Sequence, residues 1–336
     1  MYPLRFHPIF RRYIWGGRRL ADVLKKPIGD DSCAESWEIV DHNDDQSVVQ
    51  FGDLAGQTLA GLISESAGQL LGAPTATKIS NPELPENLQN RFPLLLKFLD
   101  ANRALSVQVH PDDVIGRTLD PPDLGKTEAW YVMHADPGAK IYAGLKPGID
   151  RERFAKAIEH GFTEEALHSF EPKAGDCVFI RAGTIHAIGA GLLIAEIQQC
   201  SNTTFRVYDW DRVDSDGNSR PLHIEQSLDS TDYEIGPVNP EPARATENDN
   251  AVTLAECDKF VMRRWSVGSN GSAATIGSDD SFRILAVTRG SVNVEGDPAG
   301  QPLEAGQTML VPACVGAVDV VGTEPSEVLE IFVPSA

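Results

Sequence analysis

The chain has 336 residues, more than one hydrophobic core usually serves, so two domains are expected, with a single large all-β unit as the alternative. Its 29 Gly and 22 Pro, with 41% apolar and 23% charged residues, describe a turn-rich globular protein and exclude a disordered one. Lys plus Arg number 29 against 49 Asp plus Glu, a net charge of −20 that argues against nucleic acid and anionic membranes as partners, because both are bound through basic patches.

Five cysteines, Cys33, Cys177, Cys200, Cys257 and Cys314, are odd in number and widely spaced, with no CxxC pair. They read as reduced thiols of a cytoplasmic protein rather than a disulfide framework or a thiolate zinc site. The N-terminal stretch alternates Arg, Pro and aromatics without a signal-like apolar core, and no run approaches ~20 apolar residues, so a soluble intracellular protein is expected.

In chain order, residues 1 to about 52 read as short strands and turns. Arg12-Tyr13-Ile14-Trp15-Gly16-Gly17 is aromatic and β-branched until two glycines stop it, and Glu35 to Val40 reads as another strand. Between 53 and about 90, Leu54, Leu59, Leu62, Ile63, Leu70 and Leu71 recur at roughly helical spacing, which predicts a small helical insertion. Phe92 to Leu99 is an almost unbroken apolar run, a buried strand interrupted by Lys97. That lysine must either snorkel to water or serve a polar interior.

The stretch Ser106 to Trp130 carries the first chemistry. Gln108 and His110 are two apart and share one face of an extended chain, while Val107 and Val109 share the other. A hairpin-like return would bring Glu128 back beside them on a second strand. Asp150 to His168 reads as one or two helices. Cys177 to Ile180 is a strand entered by a turn, and Ala182 to Gly189 is a turn and strand that supplies His186. Leu192 to Gln199 and Thr203 to Trp210 continue as strands, with Glu196 and Arg206 at their centres. Charges in such positions are costly unless they meet partners in a polar cavity; exposure on a one-sided sheet is the alternative.

Asp211 to Asn218 is polar and reads as a loop, and Gly236 to Pro242 is the best linker in the chain because repeated prolines block both helix and central strand. The expected division is therefore 1–240 for a catalytic domain, with its helical insertion at about 53–90, and 241–336 for a C-terminal β domain. Ala174 to Ile180 resembles Ala305 to Val311, which suggests an internal repeat; at the same offset His186 falls on Ala317, so the second copy lacks that ligand.

His110, Glu128 and His186, with Gln108 beside them, offer nitrogen and oxygen donors from separate strands that could meet inside a barrel. Such a set suits Zn²⁺ with an open position, and equally Fe²⁺ in a two-His, one-carboxylate arrangement.

These residues fall in a pattern that resembles the type I mannose-6-phosphate isomerases of the cupin superfamily, especially their short bacterial branch. The likeness runs through YIWGG (Tyr13 to Gly17), AESWEI (Ala34 to Ile39), SVQVHPDD (Ser106 to Asp113), GKTEAWYV (Gly125 to Val132), AGTIHAIG (Ala182 to Gly189), and EIQQ with FRVYDWDR through Arg212. It covers most of residues 1–225, and the C-terminal third matches only in general β character.

The resemblance implies a mainly β double cupin, two jelly-roll β-barrels with a small helical insertion; the C-terminal domain, whose apparent metal position is lost, is assigned a structural or dimer-contact role. It implies one Zn²⁺ held by Gln108, His110, Glu128 and His186. It also implies interconversion of mannose 6-phosphate and fructose 6-phosphate through an enediol, with Arg206 beside the reacting carbons and Lys97 and Lys126 in the pocket. Arg12 and Trp15 are further candidates for substrate contact. Lys97, if desolvation lowers its pKa, and Glu196 are both open as the base. The expected partner is a small phosphorylated sugar, the chain being a monomer or homodimer. A non-haem iron dioxygenase and a non-catalytic sugar-phosphate-binding cupin are the rival readings.

Overall fold

A computed structural model of the chain describes residues 1–213, 217–268 and 273–335, so residues 214–216 of the expected loop at Asp211 to Asn218 lie outside the described residues. Strands Ile9–Arg11, Glu35–Ile39, Leu94–Ala101, Leu192–Gln199, Glu128–Ala135 and Cys177–Ile180 lie side by side in that order as one antiparallel sheet. A smaller sheet, ordered Phe205–Tyr208, Val107–Val109, His186–Ile188, Ile141–Leu145 and Leu167–Phe170, faces it. Leu99, Trp130 and Val132 of the first meet Ile141, Ala143 and Ile188 of the second in one core.

The C-terminal residues build the same device again. A six-stranded sheet ends in Arg283–Arg289 and Thr308–Val311, and a four-stranded sheet of Ala274–Ile276, Val318–Gly322, Ser291–Val294 and Leu303–Glu304 covers it. Cys177–Ile180 and Thr308–Val311 occupy the same edge position in their respective sheets, as the internal repeat implies. The architecture is thus mainly β and doubled, but each unit is a pair of facing sheets that stay unclosed, rather than a sealed barrel.

The two large sheets are joined through their outer faces. Leu94, Leu96, Phe98, Ala195 and Ile197 of one share a core with Met262, Ile284, Leu310, Leu329 and Ile331 of the other. This explains why Leu94–Ala101 and Leu192–Gln199 are buried at every position: each strand has core on both sides. It also settles Lys97 by strand alternation, because Leu96 and Phe98 point into the shared core and Lys97 must point with Leu99 into the first sandwich.

The helical insertion is present as Leu59–Leu71 and Ala73–Ile79. The Thr58 hydroxyl accepts from the Gly61 amide at 3.1 Å and caps the first helix, whose Leu59, Leu62, Ile63, Leu70 and Leu71 close one end of the shared core. Arg151–Glu159 and Thr163–Ala166 are the expected later helices. Ahead of the first long strand, Leu4 exchanges two backbone hydrogen bonds of 2.8 Å with Leu310. No described helix is long and apolar enough to cross a membrane.

One local expectation is corrected. Val107–Val109 and Glu128–Ala135 do not form a hairpin; they belong to opposite sheets, so their ligands face each other across the interior of the sandwich. The segment between them starts with a short helix, Asp113–Gly116, capped by the Asp112 carboxylate, which accepts from the Ile115 amide at 2.8 Å.

Candidate metal centre and active site

On the small sheet, Val107 and Val109 pack into an outer core, which leaves Gln108 facing inward. His186 sits directly across from Gln108 on one neighbouring strand and Arg206 across from it on the other. On the large sheet, Glu196 lies between Lys97 and Trp130 on its two neighbours, while Glu128 pairs with Gln198. Cross-strand register alone therefore lines up Arg206, Gln108 and His186 opposite Lys97, Glu196 and Glu128.

The His110, Glu128 and His186 side chains are each 1% exposed, and one donor atom from each lies within 4.8 Å of the others. His110 Nε2 is 3.6 Å from Glu128 Oε2 and His186 Nε2 is 3.5 Å from Glu128 Oε1. Both imidazoles are oriented from behind. His110 Nδ1 donates to the Thr203 carbonyl and His186 Nδ1 to the Thr184 carbonyl, each at 2.9 Å. A carbonyl can only accept, so both protons sit on Nδ1 and both Nε2 lone pairs are turned towards Glu128, with Lys126 Nζ 3.0 Å from His110 Nε2; this is the form in which histidine ligates a metal.

The electrostatics agree. Burial, then the charges of Lys126 and His186, holds the His110 pKa far below the usual imidazole value, and burial takes His186 down to about 4. Both rings are neutral at neutral pH. Burial, then the charge of Glu196, raises the Glu128 pKa against the opposing pull of Lys126 and Lys97. Its Oε2 lies 3.0 Å from Lys126 Nζ but makes no aligned hydrogen bond. Two neutral imidazoles around a buried carboxylate, with Lys126 Nζ 3.0 Å from both His110 Nε2 and Glu128 Oε2, are a donor set that a divalent cation also suits. Gln108 Nε2 stands 3.3 Å from His186 Nε2, so its amide belongs to the same cluster.

Beside this cluster runs a second layer of charge. Lys97 Nζ is 3.1 Å from Glu196 Oε1 and 3.5 Å from Glu35 Oε2. Burial works against its charge, but Glu196, Glu35 and Glu128 outweigh burial and hold its pKa above the ordinary lysine value. The lowering that would have made Lys97 a base is therefore absent. Glu196 goes the other way: burial opposes its charge, yet Lys97 and Lys126 keep it below the usual carboxylate range.

A cavity of about 280 Å³ opens onto both layers, lined by Gln108, Lys126, Glu128, Lys97, Glu196 and Arg206 among others. Trp15, 3% exposed, forms part of its wall, with the Tyr13 ring stacked on it at 5.8 Å. The Gly-Gly after Trp15 answers a close approach: a Cβ on Gly16 would stand 2.5 Å from the Ala34 nitrogen. Arg12 is not in the cavity. Its guanidinium donates to the Ile28 and Ser32 carbonyls at 2.8 and 2.9 Å, on the far side of that turn.

At the mouth, half-buried Arg206 donates to Ser106 Oγ at 3.3 Å and to the Pro221 carbonyl at 3.0 Å. Arg220 lies beside it, clamped by Asp209 at 2.7 and 2.5 Å. Glu35, Arg220 and His223 also line the cavity, and sequence reasoning assigned none of them to it. Glu35 sits inside the AESWEI motif and could have been found there. Arg220 and His223 stand in no motif and carried no local signal.

Comparison with known proteins places this geometry. Residues 4–127 match the model of the phosphomannose isomerase type I catalytic domain. The chain is 34% identical over 329 residues to a mannose-6-phosphate isomerase of Bacillus subtilis, covering 95% of this chain and 96% of that protein. The chain belongs to the type I mannose-6-phosphate isomerase family. A second relative, the mannose-6-phosphate isomerase of Streptococcus mutans, is 37% identical over 270 residues, 80% of each chain. The crystal structure of the mannose 6-phosphate isomerase from Bacillus subtilis superposes with a TM-score of 0.84 at 28% identity, over 98% of this chain and 99% of that one. A variant of phosphomannose isomerase from Salmonella typhimurium, at 15% identity and a TM-score of 0.77, shares the fold. The doubled cupin architecture of the family is the one described above.

Proposed function

We propose that the chain interconverts mannose 6-phosphate and fructose 6-phosphate at the His110–Glu128–His186 cavity, with Zn²⁺ as its resident ion. The observation that carries this reading is the pair of neutral imidazoles whose Nε2 atoms converge on one buried carboxylate, in a chain of this family. Gln108, His110, Glu128 and His186 would hold the ion, Gln108 with its amide turned over from the orientation in which Nε2 faces His186. When bound, it supplies polarisation of the sugar's oxygens, which stabilises negative charge developing on them.

The protein's own groups do the rest. Glu196, kept anionic by Lys97 and Lys126 and with Oε1 lacking an aligned hydrogen bond, takes the proton from C2 of the open-chain aldose as the C1 carbonyl electrons move onto O1, and returns it to C1 while the hydroxyl proton of O2 passes to O1 and leaves C2 as the carbonyl. Lys97 stays protonated and fixes that carboxylate in place. Lys126, 4% exposed, adds positive charge beside the oxygens of the reacting carbons. Arg206 and Arg220 at the mouth receive the phosphate in an otherwise acidic protein, a part for which Arg12 is wrongly placed. The Trp15 indole offers the sugar an apolar wall.

The test is an isomerase assay on mannose 6-phosphate before and after chelation. Activity is expected to disappear on chelation and return with Zn²⁺. Full activity in thoroughly chelated protein removes the metal from the proposal. A metal-loaded, folded chain that binds the sugar phosphate without turnover favours the non-catalytic reading instead.

A further inference from the structure

A second cavity, of about 250 Å³, lies between the helical insertion and the C-terminal half, away from the metal centre. Its walls are largely apolar, formed by Ile79, Leu84, Leu88, Leu94, Leu124 and Val333. Its charge is at odds with the rest of the protein. In a chain of net charge −20, the lining contains Lys78, Arg91, Arg117 and Lys259 against a single acid, Asp113.

Three of those cations are uncompensated. Lys259 is neutralised by Asp113 at 2.7 Å and Asp258 at 2.9 Å. Arg91, only 9% exposed, reaches only neutral carbonyls, those of Asp41 at 3.3 Å and Asn87 at 3.4 Å. Its Nη2 is buried with no hydrogen-bond partner. Arg117 is exposed and Lys78 reaches only the Asp258 carbonyl at 3.2 Å; among the described residues no carboxylate lies within ion-pair distance of Arg91, Arg117 or Lys78. A buried guanidinium without an anion is unfavourable for folding and is the kind of group a ligand satisfies.

We propose that this cavity binds a small organic anion, a carboxylate or phosphate on an apolar body, with the head group at Arg91 and Arg117 and the body against Leu84, Leu88 and Leu124. At this volume the site lies at the lower limit of ligand cavities and suits a molecule smaller than a drug. One chain of hydrogen bonds joins the cavity wall to the backbone around Lys126. Asp113, in the cavity wall, accepts from the Gly125 amide and from Gln199 Nε2, each at 2.9 Å. Gln199 Oε1 in turn accepts from the Thr127 amide at 3.1 Å, so one carboxylate holds both flanks of Lys126.

The binding claim stands apart from the isomerase reading and is tested by calorimetric titration of the full chain. The probes are phenylacetate and phenyl phosphate, with benzyl alcohol as a neutral counterpart. One saturable site is expected for at least one anion, at least tenfold weaker for the alcohol, unchanged in His186→Ala and in excess mannose 6-phosphate. The tighter anion identifies the head group. Arg117→Glu, at an exposed position, is expected to weaken binding at least tenfold, and Leu84→Trp to abolish it by filling the cavity. Absence of saturable binding by either anion, equal binding of the alcohol, competition by mannose 6-phosphate, or unchanged affinity in both variants would overturn the proposal.

Discussion

His186→Ala is expected to lose bound metal and isomerase activity together. The imidazole supplies one of two neutral nitrogens to the donor set, and its hydrogen bond to the Thr184 carbonyl aims Nε2 at Glu128, so the substitution removes a donor already held in place. If the ion contributes about 4 kcal/mol of charge stabilisation in the transition state, its loss lowers turnover roughly 10³-fold. Arg206→Ala is the contrasting variant. Arg206 stands at the mouth, its side chain bonded to Ser106 and the Pro221 carbonyl and to no metal-set residue, so metal content should stay at the wild-type level while kcat/KM falls about 10²–10³-fold through lost phosphate contact. Metal analysis of both proteins beside the assay separates the two effects. Equal metal loss in both variants would show that Arg206 supports the donor set rather than the substrate.

Lys97→Met should be the most destabilising single change in the cavity. It leaves Glu196, 3% exposed, without the nearer of its two lysines and Glu35, 7% exposed, without its ion-pair partner, and breaking a buried pair by removing one partner costs about 3–5 kcal/mol. Chemical denaturation of the metal-free protein reads this directly. Lys97→Arg keeps the charge and, on the proposed mechanism, should lose less than the roughly 10²-fold that a general base contributes, while Glu196→Gln should lose at least that much. A larger loss in Lys97→Arg than in Glu196→Gln would return the role of base to the lysine.

Much of this was legible in the sequence because strand alternation is local. The alternation Val107-Gln108-Val109-His110 separates ligand face from packing face without any tertiary information, and the helical spacing of Leu59, Leu62 and Ile63 appears in the structure as the capped helix Leu59–Leu71. Which sheet a strand joins is not local. Gln108 and Glu128 were expected on one hairpin because they lie close in sequence, whereas their strands pair with partners much farther along the chain and so enter opposite sheets.

The same reasoning covers the charges. Lys97 in an apolar run was ambiguous until the shared core fixed which side was outside. The lysine pKa could not be foreseen, because burial and three carboxylates act in opposite directions and only their distances decide the balance. Arg12 illustrates the reverse failure: it adjoins a motif in sequence, but the chain that follows brings the Ile28 and Ser32 carbonyls beside its guanidinium and holds it there. The second sandwich kept the strand Thr308–Val311 of the repeat, but Leu285, Val287, Met309, Val320 and Val328 pack together in its interior, where the first sandwich has its ligand cluster.

The pairing of Leu4 with Leu310 has a consequence for the order of folding. During synthesis the segment around Leu4 leaves the ribosome early, while the strand that receives it is made hundreds of residues later. The outer face of the catalytic sheet, with Leu94, Leu96 and Phe98, likewise waits for Ile284, Leu310 and Ile331. The growing chain therefore carries an exposed apolar face through most of translation, and its dependence on chaperones should be set by this delay rather than by the chemistry of its cavity.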